Sequence, residues 1–232
     1  HSCQPGSHLN IAIGPLIQTW RIGFSDAKLP LPEEIRPLLD IINPNAILLS
    51  EENQSVFLKE KGMKIDLGAL AKGYIADRIA DFLKAKKVTS ALINLGGNVL
   101  TFGPALHNPD HKWRIGIQNP KETRNTNLMV LAIRDKSVVT SGIYERTFEI
   151  DGKTYHHIFN SQTGYPVSSD LASLTIISSL SVDGEIWTTR LFGSSLEHIF
   201  QEVSSQAELE AIIVDKDNHC FQTGGIYKMR IS

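Results

Sequence analysis

The chain has 232 residues, of which 41% are hydrophobic and 21% are charged, and its formal net charge is −2. This composition is ordinary for a globular protein and the length suffices for one sizeable core, so we expect a single domain over residues 1–232. The basic residues form no stripe, and no apolar run approaches the roughly 20 residues of a transmembrane helix, which argues against nucleic acid as a partner and against a membrane span.

The start of the chain predicts that a further N-terminal portion is missing. There is no initiating Met, and a strand-like alternation over Leu9–Ile13 begins almost at once. We expect any signal peptide or membrane anchor to lie in that missing portion.

The first third of the chain is predicted to hold short strands and a helix. Leu9–Ile13 alternates between apolar and polar residues, as a strand does, and then meets the turn signal Gly14-Pro15. Pro32 is a favourable first residue of a helix. Ala46–Leu49 and Val56–Leu58 are predicted to be short strands, the second of them one arm of a hairpin.

The clearest helix is predicted over Ala69–Lys86. Apolar or small side chains recur there at spacings of three and four residues, with charges between them. The side chains expected on its apolar face are Leu70, Ala71, Tyr74, Ile75, Ile79, Phe82 and Leu83. Ala91–Asn94 follows as a buried strand that ends at Gly96-Gly97.

Strands dominate the second half of the chain. The predicted strands are Trp113–Ile117, Leu128–Ile133, Ser137–Thr140, Thr147–Ile150, Thr154–Ile158, Ser173–Ser178 and Ala211–Val214, and the predicted helices are Ile186–Phe192 and Ser195–Ser205. Asp151-Gly152 is a strong signal for a hairpin turn. Few strand–helix–strand units are visible, which favours an α+β fold with mostly antiparallel sheets over a doubly wound nucleotide fold.

Asp66–Tyr74 combines a carboxylate, a glycine turn and the start of the long helix. A strand is expected to deliver Asp66 to this turn. The unpaired N–H groups and the positive dipole end of a helix N-terminus suit phosphate, and Lys72 adds a positive charge in the first turn. The alternative is that Asp66 only caps the helix and Lys72 is solvated.

Two further segments contain polar groups that can contact a ligand. The paired glycines of Asn94–Asn98 let the backbone approach a ligand closely, although they also suit a plain turn. His156 and His157 are adjacent on a predicted strand and therefore point to opposite faces, so at most one of them faces a given site. An imidazole suits proton removal from a hydroxyl, although a lone His is more often structural.

The segment from Asp183 to Thr189 contains candidate metal ligands. Glu185 and Thr189 are four residues apart, so on a helix they share one face and can offer oxygen atoms to a hard cation. Asp183, expected just before the helix, competes as a ligand. The alternative is that the carboxylate only caps the helix.

Five segments, in this order along the chain, resemble the FAD:protein FMN transferases, the ApbE-type flavin transferases. The matched patterns are D-x-G-x-x-A-K-G-Y/F at Asp66–Tyr74, N-x-G-G-N at Asn94–Asn98, T-S-G-x-Y-x-R at Thr140–Arg146, H-I-I-D-P-x-T-G-Y-P at His157–Pro166 and A-D-A-L-x-T-A-L-F at Gly184–Phe192. The resemblance runs from Asn10 to Gly193. It implies an α+β fold with mostly antiparallel sheets and packed helices, in a T-fold-like flavin transferase architecture.

The resemblance also implies an activity. Members of the family transfer FMN from FAD to a Ser or Thr hydroxyl of an acceptor protein in a Mg²⁺-dependent reaction that releases AMP, so FAD would be a substrate. The acceptor would be an FMN-binding protein, and the enzyme would be exported and lipid-anchored at the cell surface or in the periplasm. Two alternatives stay open, an Mg²⁺-dependent FAD pyrophosphatase and a non-catalytic FAD-binding protein.

Carried over residue by residue, the resemblance implies three sets of site residues. The residues that would contact FAD are His8, Leu9, Asn10, Asp66, Lys72, Asn98, Ser141 and Phe159. The Ala69 carbonyl, Glu185 and Thr189 would hold Mg²⁺, with a further contact from Thr188. His157 is the candidate base for the acceptor hydroxyl, and Asp66 is the second candidate.

The chain departs from the family pattern at three places. Asn10 stands where Asp is usual, which removes a negative charge near the nucleotide. Asn160-Ser161 stands for Asp-Pro. Glu185 stands for Asp, which keeps the charge and the hard oxygen ligands but moves the carboxylate by about one bond length.

Overall fold

The structure, a computed structural model, describes residues 1–123, 126–144 and 147–231. The helices in the described residues are α1 (Gly14–Trp20), α2 (Pro32–Leu39), α3 (Gly68–Ala85), α4 (Ser181–Leu191) and α5 (Leu196–Ser204). The strands in them are β1 (Ile47–Ser50), β2 (Ser55–Leu58), β3 (Ala91–Leu95), β4 (Asn98–Phe102), β5 (Trp113–Gln118), β6 (Asn127–Ile133), β7 (Ser137–Gly142), β8 (Thr147–Ile150), β9 (Lys153–His156), β10 (Leu171–Ser178), β11 (Glu210–Asp215) and β12 (Cys220–Gln222). Every pairing between these strands is antiparallel, which confirms the prediction of an α+β fold.

The chain forms two compact units. The first comprises His1–Leu67 and Ile143–Ser168, and the second comprises Gly68–Gly142 and Ser169–Ser232. No helix among the described residues is both long enough and apolar enough to span a bilayer.

The first unit is built around the buried indole of Trp20. Its ring lies 5.4 to 5.7 Å from the rings of Tyr155, Phe159 and Tyr165, and its Nε1 donates to the Gly164 carbonyl at 2.9 Å. Gly164 has a φ of +74°, and a Cβ there would come within 2.4 Å of the Ile35 side chain. A glycine is therefore required at position 164 by this core.

The predicted strand over Leu9–Ile13 is wrong. The Asn10 Oδ1 accepts a hydrogen bond from the Ala12 N–H at 2.8 Å, which turns the chain immediately before α1 begins at Gly14. Ile13 and Lys64 form an isolated β-bridge. This bridge stands in place of two predicted strands, Leu9–Ile13 and the strand expected to lead into Asp66.

The second unit contains a six-stranded sheet in the order β12-β11-β10-β7-β4-β3. The β5–β6 hairpin packs on one face, and its core includes Val99, Val138, Ile177 and Ile212 of the sheet. Side chains alternate along a strand, so Asn98, Leu100 and Phe102 of β4 face the other way. Leu100 and Phe102 pack against α3, which places Asn98 on the helix-covered face.

Helix α3 begins where the sequence predicts, but its buried face differs from the prediction. The buried positions are Gly73, Ala76, Asp77 and Ala80, while Tyr74, Ile75 and Phe82 are exposed. The reason is close helix packing, because a Cβ on Gly73 would lie 2.5 Å from the Ser181 carbonyl of α4. Small residues are therefore the ones that fit against α4.

The other predicted elements are present, with three differences. Helix α4 begins five residues before the predicted Ile186 and includes Asp183, because both carboxylate oxygens of Asp77 accept hydrogen bonds from N–H groups of its first turn. Strand β3 is an edge strand, with Leu92 exposed, and is not buried on both faces. Strands β4 and β12 were not predicted.

Candidate active site

The centre of the candidate site in the second unit is the carboxylate of Glu185. The residue is 4% exposed and lies in the middle of α4. Its Oε1 accepts a hydrogen bond from the Asn98 Nδ2 at 2.8 Å and lies 3.6 Å from the Lys72 Nζ. The structure thus joins three residues that the sequence placed in separate motifs.

Burial raises the pKa of the Glu185 carboxyl above its ordinary value, while the positive charge of Lys72 and the hydrogen bond from Asn98 act in the opposite direction. A buried carboxylate is costly unless charge and hydrogen bonds compensate for its lost hydration. The two neighbours supply part of this compensation, and a bound cation would supply more.

The remaining candidate metal ligands also belong to the second unit. Ala69 is half-buried in the first turn of α3, and Thr189 is half-buried one turn after Glu185. Thr188 is fully buried, and its Oγ1 donates to the Glu185 carbonyl at 3.2 Å. Carboxylate, hydroxyl and carbonyl oxygens are the ligands that Mg²⁺ and Ca²⁺ prefer, so this donor set fits a hard cation.

Asp183 lies in the first turn of α4 and not before it. Burial raises the pKa of its carboxyl, and the charges of Asp77 and Glu208 raise it further. Residues two apart on a helix do not face each other, so Asp183 and Glu185 do not present their carboxylates on the same side of α4.

Two candidate FAD contacts of the second unit differ in their surroundings. Lys72 keeps 45% of its side chain exposed, so its ammonium group is accessible to a phosphate. Ser141 is half-buried on β7, where it pairs with Leu174 of β10. Glu145 and Arg146, the last residues of the same motif, lie outside the described residues.

The N-terminal FAD candidates belong to the first unit. Leu9 and Asn10 are buried, and burial lowers the pKa of the His8 imidazole below its ordinary value, which favours the neutral form. Both ends of the Asn10 side-chain amide are hydrogen-bonded. Its Oδ1 accepts from the Ala12 N–H, and its Nδ2 donates to the Ile42 carbonyl at 2.8 Å and to the Ser161 Oγ at 3.1 Å. Two departures from the family pattern, Asn10 and Ser161, are therefore in direct contact.

Asp66 and Phe159 are held by neighbours in the first unit. The Asp66 N–H donates to the Ile11 carbonyl at 2.8 Å, and the Asp66 residue is half-buried. Phe159 is 4% exposed, and its ring packs on Trp20. Because the ring is part of the core, the backbone of Phe159 is the part suited to a ligand contact.

The two adjacent histidines are not both on a strand. Strand β9 ends at His156, and His157 lies in the bend that follows, so strand alternation does not set their relative directions. His156 has its Nε2 2.9 Å from the Val167 carbonyl, and its Nδ1 accepts from the Ile158 N–H at 3.3 Å. Since a carbonyl only accepts, Nε2 carries the proton. His156 therefore has a structural role, and His157 is half-buried beside it.

Sequence reasoning missed two residues of the site in the second unit, Asp77 and Ser181. Asp77 accepts from the N–H groups of Ser181 and Val182 at 2.8 and 2.9 Å, and the Ser181 Oγ donates to the Asn98 Oδ1 at 2.6 Å. The available signal was the position of Asp77 among the small residues Gly73, Ala76 and Ala80, where a charge needs a partner.

Comparisons with known proteins identify relatives of this chain. A family model described as the ApbE family matches residues 1–213. An FAD:protein FMN transferase of Klebsiella pneumoniae is 46% identical over 211 residues, which are 91% of this chain and 64% of that protein. An FAD:protein FMN transferase of Treponema pallidum is 33% identical over 95% of this chain and 64% of its own length.

A solved structure has the same fold. The ApbE protein of Thermotoga maritima aligns with a TM-score of 0.86 at 26% identity, over 97% of this chain and 72% of its own. The chain belongs to the ApbE family. It spans 64% of the length of each of the two curated relatives.

Proposed function

We propose that this protein transfers FMN from FAD to a Ser or Thr hydroxyl of an acceptor protein, with Mg²⁺ as the cofactor and AMP as the second product. The proposal rests on membership of the ApbE family, whose curated members from Klebsiella pneumoniae and Treponema pallidum are named FAD:protein FMN transferases. The acceptor would be an FMN-binding protein. Export and lipid anchoring are part of the same proposal, and cell fractionation tests them.

The observation that carries the proposal is the buried carboxylate of Glu185 beside the half-exposed ammonium group of Lys72. The carboxylate is suited to a cation and the ammonium group to a phosphate. Together the two groups suit a pyrophosphate that is bound with a divalent cation.

Glu185 and Thr189 would hold Mg²⁺ together with the Ala69 carbonyl, and Thr188 would add a contact. Bound Mg²⁺ would offset the negative charge of the pyrophosphate oxygens. Lys72 would bind a phosphate oxygen and orient the pyrophosphate. The backbone near Phe159 and the residues His8, Leu9, Asn10, Asp66 and Ser141 are the remaining proposed FAD contacts.

The bond that forms joins the acceptor hydroxyl oxygen to the phosphorus on the riboflavin side of FAD. The bond that breaks joins this phosphorus to the bridging oxygen, which leaves with its electron pair as part of AMP. His157 is the proposed base that takes the hydroxyl proton, and Asp66 is the alternative. Water in place of the hydroxyl would give FMN and AMP instead.

Mass spectrometry of the intact acceptor tests the proposal. The wild-type protein is incubated with FAD, Mg²⁺ and an FMN-binding domain, and the expected result is a mass increase by one FMN group that Glu185→Ala abolishes. AMP release with an unmodified acceptor would show a pyrophosphatase. FAD binding without turnover would show a binding protein.

A further inference from the structure

A continuous chain of hydrogen bonds leads from the N-terminus of α4 to the Glu185 carboxylate. Asp77 accepts from the Ser181 N–H at 2.8 Å, and the Ser181 Oγ donates to the Asn98 Oδ1 at 2.6 Å. The Asn98 Nδ2 then donates to the Glu185 Oε1 at 2.8 Å. All four residues are buried, with exposed fractions between 0 and 6%.

The chemistry of these groups determines the orientation of the Asn98 amide. An ionised carboxylate only accepts hydrogen bonds, so the NH₂ end of the amide must face Glu185. The carbonyl end then requires a donor on its other side, and the Ser181 hydroxyl supplies its only proton there. Without Ser181, the amide would lose one of the two contacts that favour this orientation over the flipped one.

Ser181 is held on its other sides as well. Asp77 accepts from its backbone N–H, and its carbonyl packs against Gly73, where a Cβ would come within 2.5 Å. The Ser181 hydroxyl is therefore placed by α3 and by the first turn of α4.

The contacts that Asn98 and Lys72 make with the Glu185 carboxylate both involve Oε1. Among the described residues, no hydrogen bond or ion pair involves Oε2. A carboxylate held by one oxygen in this way presents the other oxygen in a defined direction.

We infer that Asn98 and Ser181 are positioning residues that fix the Glu185 carboxylate so that its Oε2 faces the cation. The inference rests on the proposed function, and it gives the buried Asn98 side chain a role other than contacting FAD. Partners that orient a metal ligand typically contribute about 10–100-fold to metal affinity.

Two measurements on the full chain test the inference. Mg²⁺ affinity is measured by calorimetry for the wild type, Asn98→Ala and Ser181→Ala, and FAD affinity is measured in excess chelator. Ser137→Ala is the matched control, because Ser137 is also buried and its Oγ donates to the Val99 carbonyl at 3.0 Å, outside the chain of hydrogen bonds that ends at Glu185. We expect Mg²⁺ affinity to fall roughly 10–100-fold in both test variants, with FAD affinity in chelator unchanged and the control unaffected.

The other outcomes separate the inference from the proposed function. If the wild type transfers FMN and both variants bind Mg²⁺ with unchanged affinity, the inference is overturned and the proposed function is not. Weaker FAD binding in chelator for Asn98→Ala, with Ser181→Ala unaffected, would show that Asn98 contacts FAD. A wild type that binds no divalent cation would overturn both. A loss of fold would appear as a lower unfolding temperature and lower FAD affinity together, and would count against a positioning role.

Discussion

The Nζ of Lys72 lies 3.6 Å from the Oε1 of Glu185, so the candidate phosphate ligand and the candidate metal ligand form one ion pair. Lys72 is half-exposed and Glu185 is buried. A cation bound to Glu185 would take over part of the charge compensation that Lys72 provides, which leaves the ammonium group for the nucleotide.

Lys72→Met should weaken FAD binding, because the variant removes a charge-assisted contact worth about 1.5–3 kcal/mol. The measurement is calorimetric titration with FAD. Lys84→Met, near the other end of α3, is the control and should leave the affinity unchanged. Equal FAD affinity of the Lys72 variant and the wild type would show that Lys72 serves only Glu185.

Removal of the metal should abolish FMN transfer while FAD binding is retained, because Lys72 and backbone donors still hold the phosphates. Glu185→Ala should reproduce the effect of chelation. Asp183→Asn should be much milder, since Asp183 lies on another side of α4. An active Glu185→Ala variant together with an inactive Asp183→Asn variant would assign the metal to Asp183. Full activity in excess chelator would show that FMN transfer needs no metal.

The two adjacent histidines should have separable effects. His157→Ala should lower the transfer rate by about 10²–10⁴-fold, the usual contribution of a general base, with little change in FAD affinity. His156→Ala should mainly lower the free energy of unfolding, because it removes the hydrogen bonds to Val167 and Ile158. Transfer kinetics and urea unfolding of both variants make the comparison. Similar rate losses from both would favour Asp66 as the base.

Asn10→Asp and Asn160→Asp both restore the usual family residue, but they should differ in stability. Asn10 donates to the Ile42 carbonyl and the Ser161 hydroxyl, so an Asp there would leave a buried carbonyl facing a carboxylate and cost about 1–3 kcal/mol. The Asn160 Oδ1 accepts from the N–H groups of Gln162 and Thr163, and among the described residues its Nδ2 makes no hydrogen bond. A carboxylate can accept the same two hydrogen bonds, so Asn160→Asp should be nearly neutral. Equal urea midpoints for the two variants would contradict this reading of the Asn10 amide.

The sequence predicted the α+β class and most helices and strands because periodicity and turn residues are local signals. It failed at Leu9–Ile13, where one side-chain hydrogen bond from Asn10 turns the chain. It also missed the first turn of α4, because the cap comes from Asp77, 104 residues earlier in the chain than Ser181. Local patterns contain no information about a cap supplied from another helix.

The same limit applies to the candidate site. Motif spacing identified Lys72, Asn98 and Glu185 as separate candidates, but only the packing of α3, α4 and β4 shows that they touch. The apolar pattern of α3 was misleading, since large side chains such as Tyr74 and Phe82 are exposed and small ones are buried. Close approach of two helices selects small residues, and hydrophobicity alone does not predict it.

The most direct test of the central claim is the ratio of AMP released to FMN attached, measured in one reaction. The wild-type protein is incubated with FAD, Mg²⁺ and an FMN-binding acceptor, AMP is quantified by chromatography, and FMN on the acceptor by mass spectrometry. We expect equal amounts of the two products, and neither product in excess chelator or when the acceptor Ser or Thr is replaced by Ala. AMP in the absence of FMN on the protein, or transfer that continues without a divalent cation, would contradict it.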